Sequence, residues 1–196
     1  TIAWLNDHQG NCYALMGDSI DLSQAPMLAL SVEHSSIPQD PFSIHASEAQ
    51  QLTHNDVEVA LGYYLEPRLV YTDQAFKNGP WPSSNRRTVH LGIDIFAPVG
   101  TALYAPMAAT VEATDNRKAN LDYGGVVILR HQTPAGDAFY SLYGHLNPAS
   151  VAQLTVGQEL AAGDLFAHLG EPCENGGWHP HAHVQLALSI EGIGYD

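Results

Sequence analysis

Basic side chains are scarce in this chain. Its 196 residues carry seven Lys and Arg against 21 Asp and Glu, a net charge of −14. Such a surface repels phosphate backbones and anionic headgroups, which excludes nucleic acid, anionic lipid or another polyanion as the main partner. Cysteine is sparse too, with only Cys12 and Cys173. They are far apart and show no Cys-x-x-Cys spacing, so no disulfide framework is indicated, and they read as two unpaired buried thiols compatible with a reduced compartment. No apolar run approaches the length of a membrane span. An initiator Met and a charged-then-apolar leader are both missing, so the chain reads as a processed or excised segment.

What is present points to β structure. Hydrophobic residues make up 45% and charged residues 14%, with 17 Gly and 12 Pro, a composition suited to a turn-rich globular protein. The length allows one domain of ordinary size, or one with a small appendage. Three short apolar runs, Ile2 to Leu5, Cys12 to Met16 and Met27 to Val32, are expected to form two or three strands of an N-terminal β-rich extension or cap covering residues 1–76. Ser35 to Phe42 reads as a loop and Ser47 to Asp56 as a brief helix capped by Ser47. The stretch KNGPWPSSNRR, Lys77 to Arg87, is rich in turn formers and marks a boundary or the rim loop of a site, opening a second unit over residues 77–196.

From Thr88 the pattern sharpens. In TVHLGIDIF, Val89, Leu91, Ile93 and Ile95 alternate with His90, Gly92, Asp94 and Phe96, which predicts a half-buried strand with His, Gly and Asp on its polar face. A tight turn at Val99-Gly100 follows, then two short strands meeting at Ala105-Pro106. DYGGVVILRH, Asp122 to His131, is apolar on both faces and is expected at the centre of a sheet. Its hairpin partner across HQTPAG is GDAFYSLYGHL. Thr155 to Gly170 weakly repeats the earlier turn-and-strand unit, Asn147 to Leu154 fits a single helical turn, and the Gly-rich loop Gly170 to Trp178 should border the site. The last strand is HPHAHVQLALS, from His179 to Ser189. Its alternation puts His181, His183 and Gln185 on one face and Ala182, Val184, Leu186 and Leu188 on a core face.

Three clusters carry chemistry: His90 with Asp94, His145 after Tyr143-Gly144, and His181 with His183. Buried imidazoles need partners, and a metal is the economical one. Gly92 would leave a gap for a metal or a substrate backbone. Two imidazoles and one carboxylate suit Zn²⁺ with a fourth position for water, the catalytic rather than the structural pattern. The remaining lone histidines, His131 and His168 among them, are expected to be surface or hydrogen-bonded core residues.

HLGID (His90 to Asp94), LYGHL (Leu142 to Leu146) and HPHAHVQL (His179 to Leu186) resemble, in order and spacing, the signatures of the lysostaphin/LytM-type zinc metallopeptidases. The resemblance spans about residues 86 to 190. It implies an all-β, mainly antiparallel barrel-sandwich or duplicated hybrid fold with one Zn²⁺ held by His90, Asp94 and His183. It also implies that His145 and His181 act as general base and transition-state stabiliser. Val184 and Gln185 stand where the family usually has an aromatic and a glutamate, and His179 is an additional imidazole, on the surface or at the substrate. The runs LDYGGVVILRH, FYSLYGHL and ENGGWHPHAHVQL are similar to a subgroup embedded between a kinase-like phosphotransferase domain and a class III aminotransferase domain in large bacterial proteins.

The functional expectation is a metallopeptidase acting on peptidoglycan-like or short-peptide substrates. Its rival is a zinc-binding, non-hydrolytic module of a multidomain enzyme. A phosphocarrier use of paired histidines is disfavoured, because Asp94 would repel a phosphoryl group. The embedded resemblance implies a cytoplasmic location, with the periplasm or cell exterior as the alternative.

Overall fold

The computed structural model describes residues 2–7, 10, 12–18, 20–31, 58–80 and 83–191. The expected loop at 35–42 and helix at 47–56 lie outside them. Among the described residues no helix is long and apolar enough to cross a membrane.

The fold is all-β and mainly antiparallel. Strands β1 (Met27–Leu28), β2 (Ala60–Gly62), β5 (Ile93–Phe96), β7 (Ala109–Arg117), β8 (Gly124–Gln132), β9 (Ala138–Leu146), β10 (Glu159–Leu160) and β12 (His181–Ala187) form one sheet in the order β1-β2-β5-β12-β9-β8-β7-β10. Two small sheets complete it: β3 (Glu66–Pro67) with β4 (Val89–His90), and β6 (Ala102–Tyr104) with β11 (Leu165–His168). All pairings are antiparallel except β1 with β2.

The centre is where the sequence placed it. Val126, Val127, Ile128 and Leu129 of β8 are fully buried, and a hairpin turning at Gly136 joins β8 to β9. A run apolar on both faces needs cover on both faces, and β8 gets it from two separate clusters. The two units of the weak sequence repeat pack against each other. Strand β11 of the second unit pairs with β6 of the first, β10 pairs with β7, and the amides of Gly157 and Gly163 donate across to Val111 and Ala105. Two turn-and-strand units thus lock into each other. As expected, a single helical turn, α2 (Pro148–Val151), follows Asn147, whose side chain caps it.

The N-terminal segment differs from expectation. Ile2–Asp7 is helix α1, not a strand, and residues 12–16 form no strand but a bend and a turn. Four apolar residues fit either period, so the pattern could not separate the two. Strands β1 and β2 join the main sheet beside β5. Both thiols are exposed, contrary to the expected burial.

On the two chemistry-bearing strands Ile95 and Ala182 of the predicted core face are buried and Val184 packs against them, but the polar face is buried as well and much of the apolar face is exposed. Leu91, Ile93, Leu186 and Leu188 are each between 44% and 60% exposed, whereas His90, Asp94, His181 and His183 are at most 3% exposed. Arg68, Tyr123 and Trp178 pack against the polar face, and its imidazoles find partners there.

Candidate metal centre

TVHLGIDIF is not one strand. It breaks at Leu91-Gly92, so His90 ends β4 while Asp94 lies on β5. His90 pairs with Glu66, and Asp94 sits directly opposite His183 on β12, which is in turn opposite Gly144 on β9. Directly paired residues hold their Cβ atoms about 4.5–5.5 Å apart, so the register alone brings Asp94 and His183 together. Gly92 is required by this closeness. A Cβ there would lie 2.4 Å from His183 Cε1 and 2.8 Å from the Val184 carbonyl oxygen. The gap predicted for a metal or substrate is therefore filled by the His183 ring. Gly144 plays the matching part for Tyr123, whose Cδ1 would be 2.5 Å from an added Cβ.

Three donor atoms converge. His90 Nε2 is 2.8 Å from His183 Nδ1, and Asp94 Oδ1 is 3.1 Å from the former and 3.2 Å from the latter. Ligands about 2.0–2.2 Å from zinc at tetrahedral angles stand about 3.3–3.6 Å apart, so this triangle is close to a zinc face and slightly tighter. At most one proton can lie between the two nitrogens, and a cation satisfies all three atoms at once. His90 Nδ1 and His183 Nε2 are buried with no hydrogen-bond partner among the described residues. These residues fit a metal ion, and among the described residues they are a group of His and carboxylate side chains close enough to hold one.

Asp94 is held from behind. Its Oδ2 accepts from Arg68 Nη1 at 2.5 Å, and Arg68 Nε donates to Glu66 Oε2 at 2.9 Å. Glu66 Oε1 in turn accepts from the Leu30 amide at 2.5 Å. Arg68 and Glu66 are both buried. Burial pushes the Asp94 carboxyl up, but the Arg68 guanidinium, with His181 and hydrogen bonds from His183 and His90, more than offsets it and holds the carboxyl well below its usual range. Asp94 is therefore an anion, with one oxygen on arginine and the other facing the histidines.

His145 and His181 flank the triangle. The His145 Nδ1–H donates to the Asn175 carbonyl at 3.0 Å, and the His181 Nδ1–H donates to the His179 carbonyl at 2.6 Å. Carbonyls only accept, so both rings present a bare Nε2. The His181 Nε2 is 3.6 Å from Asp94 Oδ1, and the two ring centroids are 4.3 Å apart. Burial pushes His145 well below its ordinary value and His181 down to about 4, keeping both neutral near pH 7. His145 holds a left-handed backbone, φ 64°, a conformation uncommon outside glycine. Tyr123 stacks on His145 at 5.6 Å and Trp178 meets it edge-on at 5.8 Å.

All five sequence-predicted residues, His90, Asp94, His145, His181 and His183, line one cavity of about 400 Å³. The two predicted rims deliver to it as well, Arg87 from one and Trp178 from the other. His179 is half-buried and contributes its carbonyl to His181. His131 is a hydrogen-bonded core residue, bonded to Ala108 and Ser141. Arg68, Glu66, Tyr71 and Tyr123 were missed, since nothing in their local sequence sets them apart.

Removing Arg68 strands two buried carboxylates. Arg68→Ala is expected to cost about 3–5 kcal/mol in urea unfolding of the zinc-free protein, and less once zinc is added. A loss below about 1 kcal/mol would contradict the buried triad. Stability of the zinc-free protein should also depend on pH. Burial holds the His145 and His181 imidazoles below the unfolded value near 6.5, so the unfolded chain takes up protons first as pH falls. His181 stabilises the fold above that value and loses this contribution between about pH 6.5 and 4, on the order of 3 kcal/mol. Urea midpoints that do not fall across this window would contradict the neutral, buried assignment.

The family model for peptidase family M23 matches residues 88–192, more than half of the chain. Among solved structures, the catalytic domain of the antimicrobial peptidase lysostaphin from Staphylococcus simulans is 22% identical, with a TM-score of 0.44, over 72% of this chain and 86% of that one. A zinc-containing peptidase from Vibrio cholerae is 20% identical with a TM-score of 0.42, covering 59% of this chain, which spans only 34% of that protein. LytU is 26% identical with a TM-score of 0.38, over 56% of this chain and 67% of that one. No curated protein matches. With the three motifs of the match converging on one buried cluster, the chain belongs to peptidase family M23.

Proposed function

We propose that the chain is a zinc-dependent metallopeptidase, hydrolysing a peptide or amide bond in a peptidoglycan-like or short-peptide substrate. In this reading His90, Asp94 and His183 hold one Zn²⁺. The observation that carries it is the triangle of His90 Nε2, Asp94 Oδ1 and His183 Nδ1, with edges of 2.8 to 3.2 Å, flanked by two bare imidazole nitrogens. Zinc in such a site lowers the pKa of bound water to about 7 and polarises a carbonyl oxygen.

The protein residues supply the proton handling. His181 and His145 are neutral and begin as acceptors at Nε2, so either takes the proton of the attacking water. Once protonated, that ring is a donor, able to stabilise the oxyanion or pass the proton to the leaving amine. The backbone carbonyls of Asn175 and His179 fix each ring orientation throughout. Tyr123 and Trp178 crowd His145 and restrict water around it.

A second reading keeps the zinc and drops the hydrolysis. Val184 and Gln185 at positions usually aromatic and acidic support it, as does the likeness to domains embedded between kinase-like and aminotransferase domains. In that case the chain is a structural or regulatory module of a cytoplasmic enzyme.

Zinc-loaded protein incubated with muropeptides and short glycine- or D-alanine-containing peptides separates the two. The peptidase reading predicts turnover that falls about 10²–10⁴-fold in His145→Ala and disappears in His183→Ala. Turnover undiminished in His145→Ala would contradict the proton-handling role, and zinc binding without any turnover would favour the second reading.

A further inference from the structure

The scarce positive charge of this chain is gathered in one place. Of seven Lys and Arg in the whole sequence, Arg68, Arg87 and Arg117 line the cavity that holds the histidine cluster. Around most of an acidic protein the field repels anions, so a local concentration of arginine is a recognition feature.

The three arginines are engaged differently. Arg68 is committed to Asp94 and Glu66, and Arg117 bonds to Asp115 at 3.1 Å. Arg87 contacts aromatic groups instead. Its guanidinium lies over the Tyr71 ring at 5.0 Å and the Tyr123 ring at 5.9 Å, and Nη1 donates to the Tyr123 hydroxyl at 3.3 Å. It bonds to no carboxylate among the described residues. The carboxylates that line the cavity bond to other groups: Asp94 to Arg68 and the imidazoles, Asp122 to the Tyr123 amide. A guanidinium stays charged at all relevant pH and offers a planar fork that matches a carboxylate.

Its setting is rigid. The Arg87 amide donates to Phe76, while the adjacent Arg86 reaches the carbonyls of Tyr71, Thr72 and Asp73 and pins the wall that carries Tyr71. Tyr123, which touches Arg87, also stacks on His145 and meets His183 edge-on at 5.3 Å. One aromatic side chain therefore connects the cation to the candidate catalytic group. The cavity, about 400 Å³, is at the small end of ligand pockets, which run from about 300 to 1,000 Å³. It suits a short peptide segment rather than a bulky ligand.

We propose that Arg87 is the substrate's anion-binding residue, and that the site takes a short peptide presenting a free carboxylate, C-terminal or side-chain, against the Tyr71–Arg87–Tyr123 wall. The proposal rests on the peptidase reading for its substrate class. Binding, however, is measured apart from turnover.

The test uses the zinc-free chain, so that no carboxylate can bind metal, titrated calorimetrically with triglycine, triglycine amide and Gly-Glu-Gly amide. Triglycine, Gly-Glu-Gly amide or both should bind at least about tenfold more tightly than triglycine amide. Tight binding of triglycine identifies a C-terminal carboxylate as ligand, and tight binding of Gly-Glu-Gly amide a side-chain one. Arg87→Gln should abolish the acid preference with an unchanged urea midpoint, while Arg87→Lys, keeping the charge without the fork, should retain part of it. Binding of both triglycine and Gly-Glu-Gly amide no tighter than that of triglycine amide, no binding of any of the three, or a preference that survives in Arg87→Gln would each overturn the proposal. Turnover by zinc-loaded wild type is followed in parallel. Hydrolysis without carboxylate preference would sink the Arg87 role alone, and carboxylate preference without hydrolysis would sink the peptidase reading alone.

Discussion

One buried carboxylate organises this molecule. Asp94, 1% exposed, is bound through Oδ2 by Arg68 and approached through Oδ1 by His90, His181 and His183. An isolated charge at that depth would neutralise itself or unfold its surroundings. It stays charged because the Glu66–Arg68 pair reaches it from β3 and the segment just after. Its partners come from three separate parts of the chain, the segment of Glu66 and Arg68, β4 and β12, so the site is complete only when these strands are paired. The N-terminal residues are consequently part of the centre's electrostatics, whatever else they do.

The same arrangement explains which parts of the fold the sequence disclosed. Strand β8 was legible because an uninterrupted apolar run can only be central, and the glycine turns were legible because their positions demand a left-handed backbone. The five residues of the cluster were legible through their spacing and through the resemblance of three motifs. What alternation could not say was which face would be covered. Leu91 and Ile93 stand opposite a face that seemed polar but is satisfied internally, and so they remain exposed while His90 and Asp94 are buried. The break at Gly92 was likewise invisible, since it follows from the His183 ring needing the space of a side chain.

Arg68 and Glu66 belong to a segment without periodicity, and their importance appears only when strand β3 pairs with β4 and sets Glu66 opposite His90. Long-range partners of this kind leave no local signal. The scarcity of basic residues, by contrast, was plain from composition, but composition could not show that three of the seven would share one cavity. An acidic surface excludes polyanions as partners and still leaves room for a single, locally compensated carboxylate.

The account stands on the cluster of His90, Asp94 and His183 being a metal site. Zinc titration with metal analysis and X-ray absorption spectroscopy on the purified chain, stripped of metal and then reloaded, tests this most directly. The expected result is one zinc per chain with two imidazole nitrogens and a carboxylate oxygen at about 2.0–2.2 Å, lost in His183→Ala. Failure to take up zinc after reloading, or full uptake by His183→Ala with an unchanged ligand set, would contradict it.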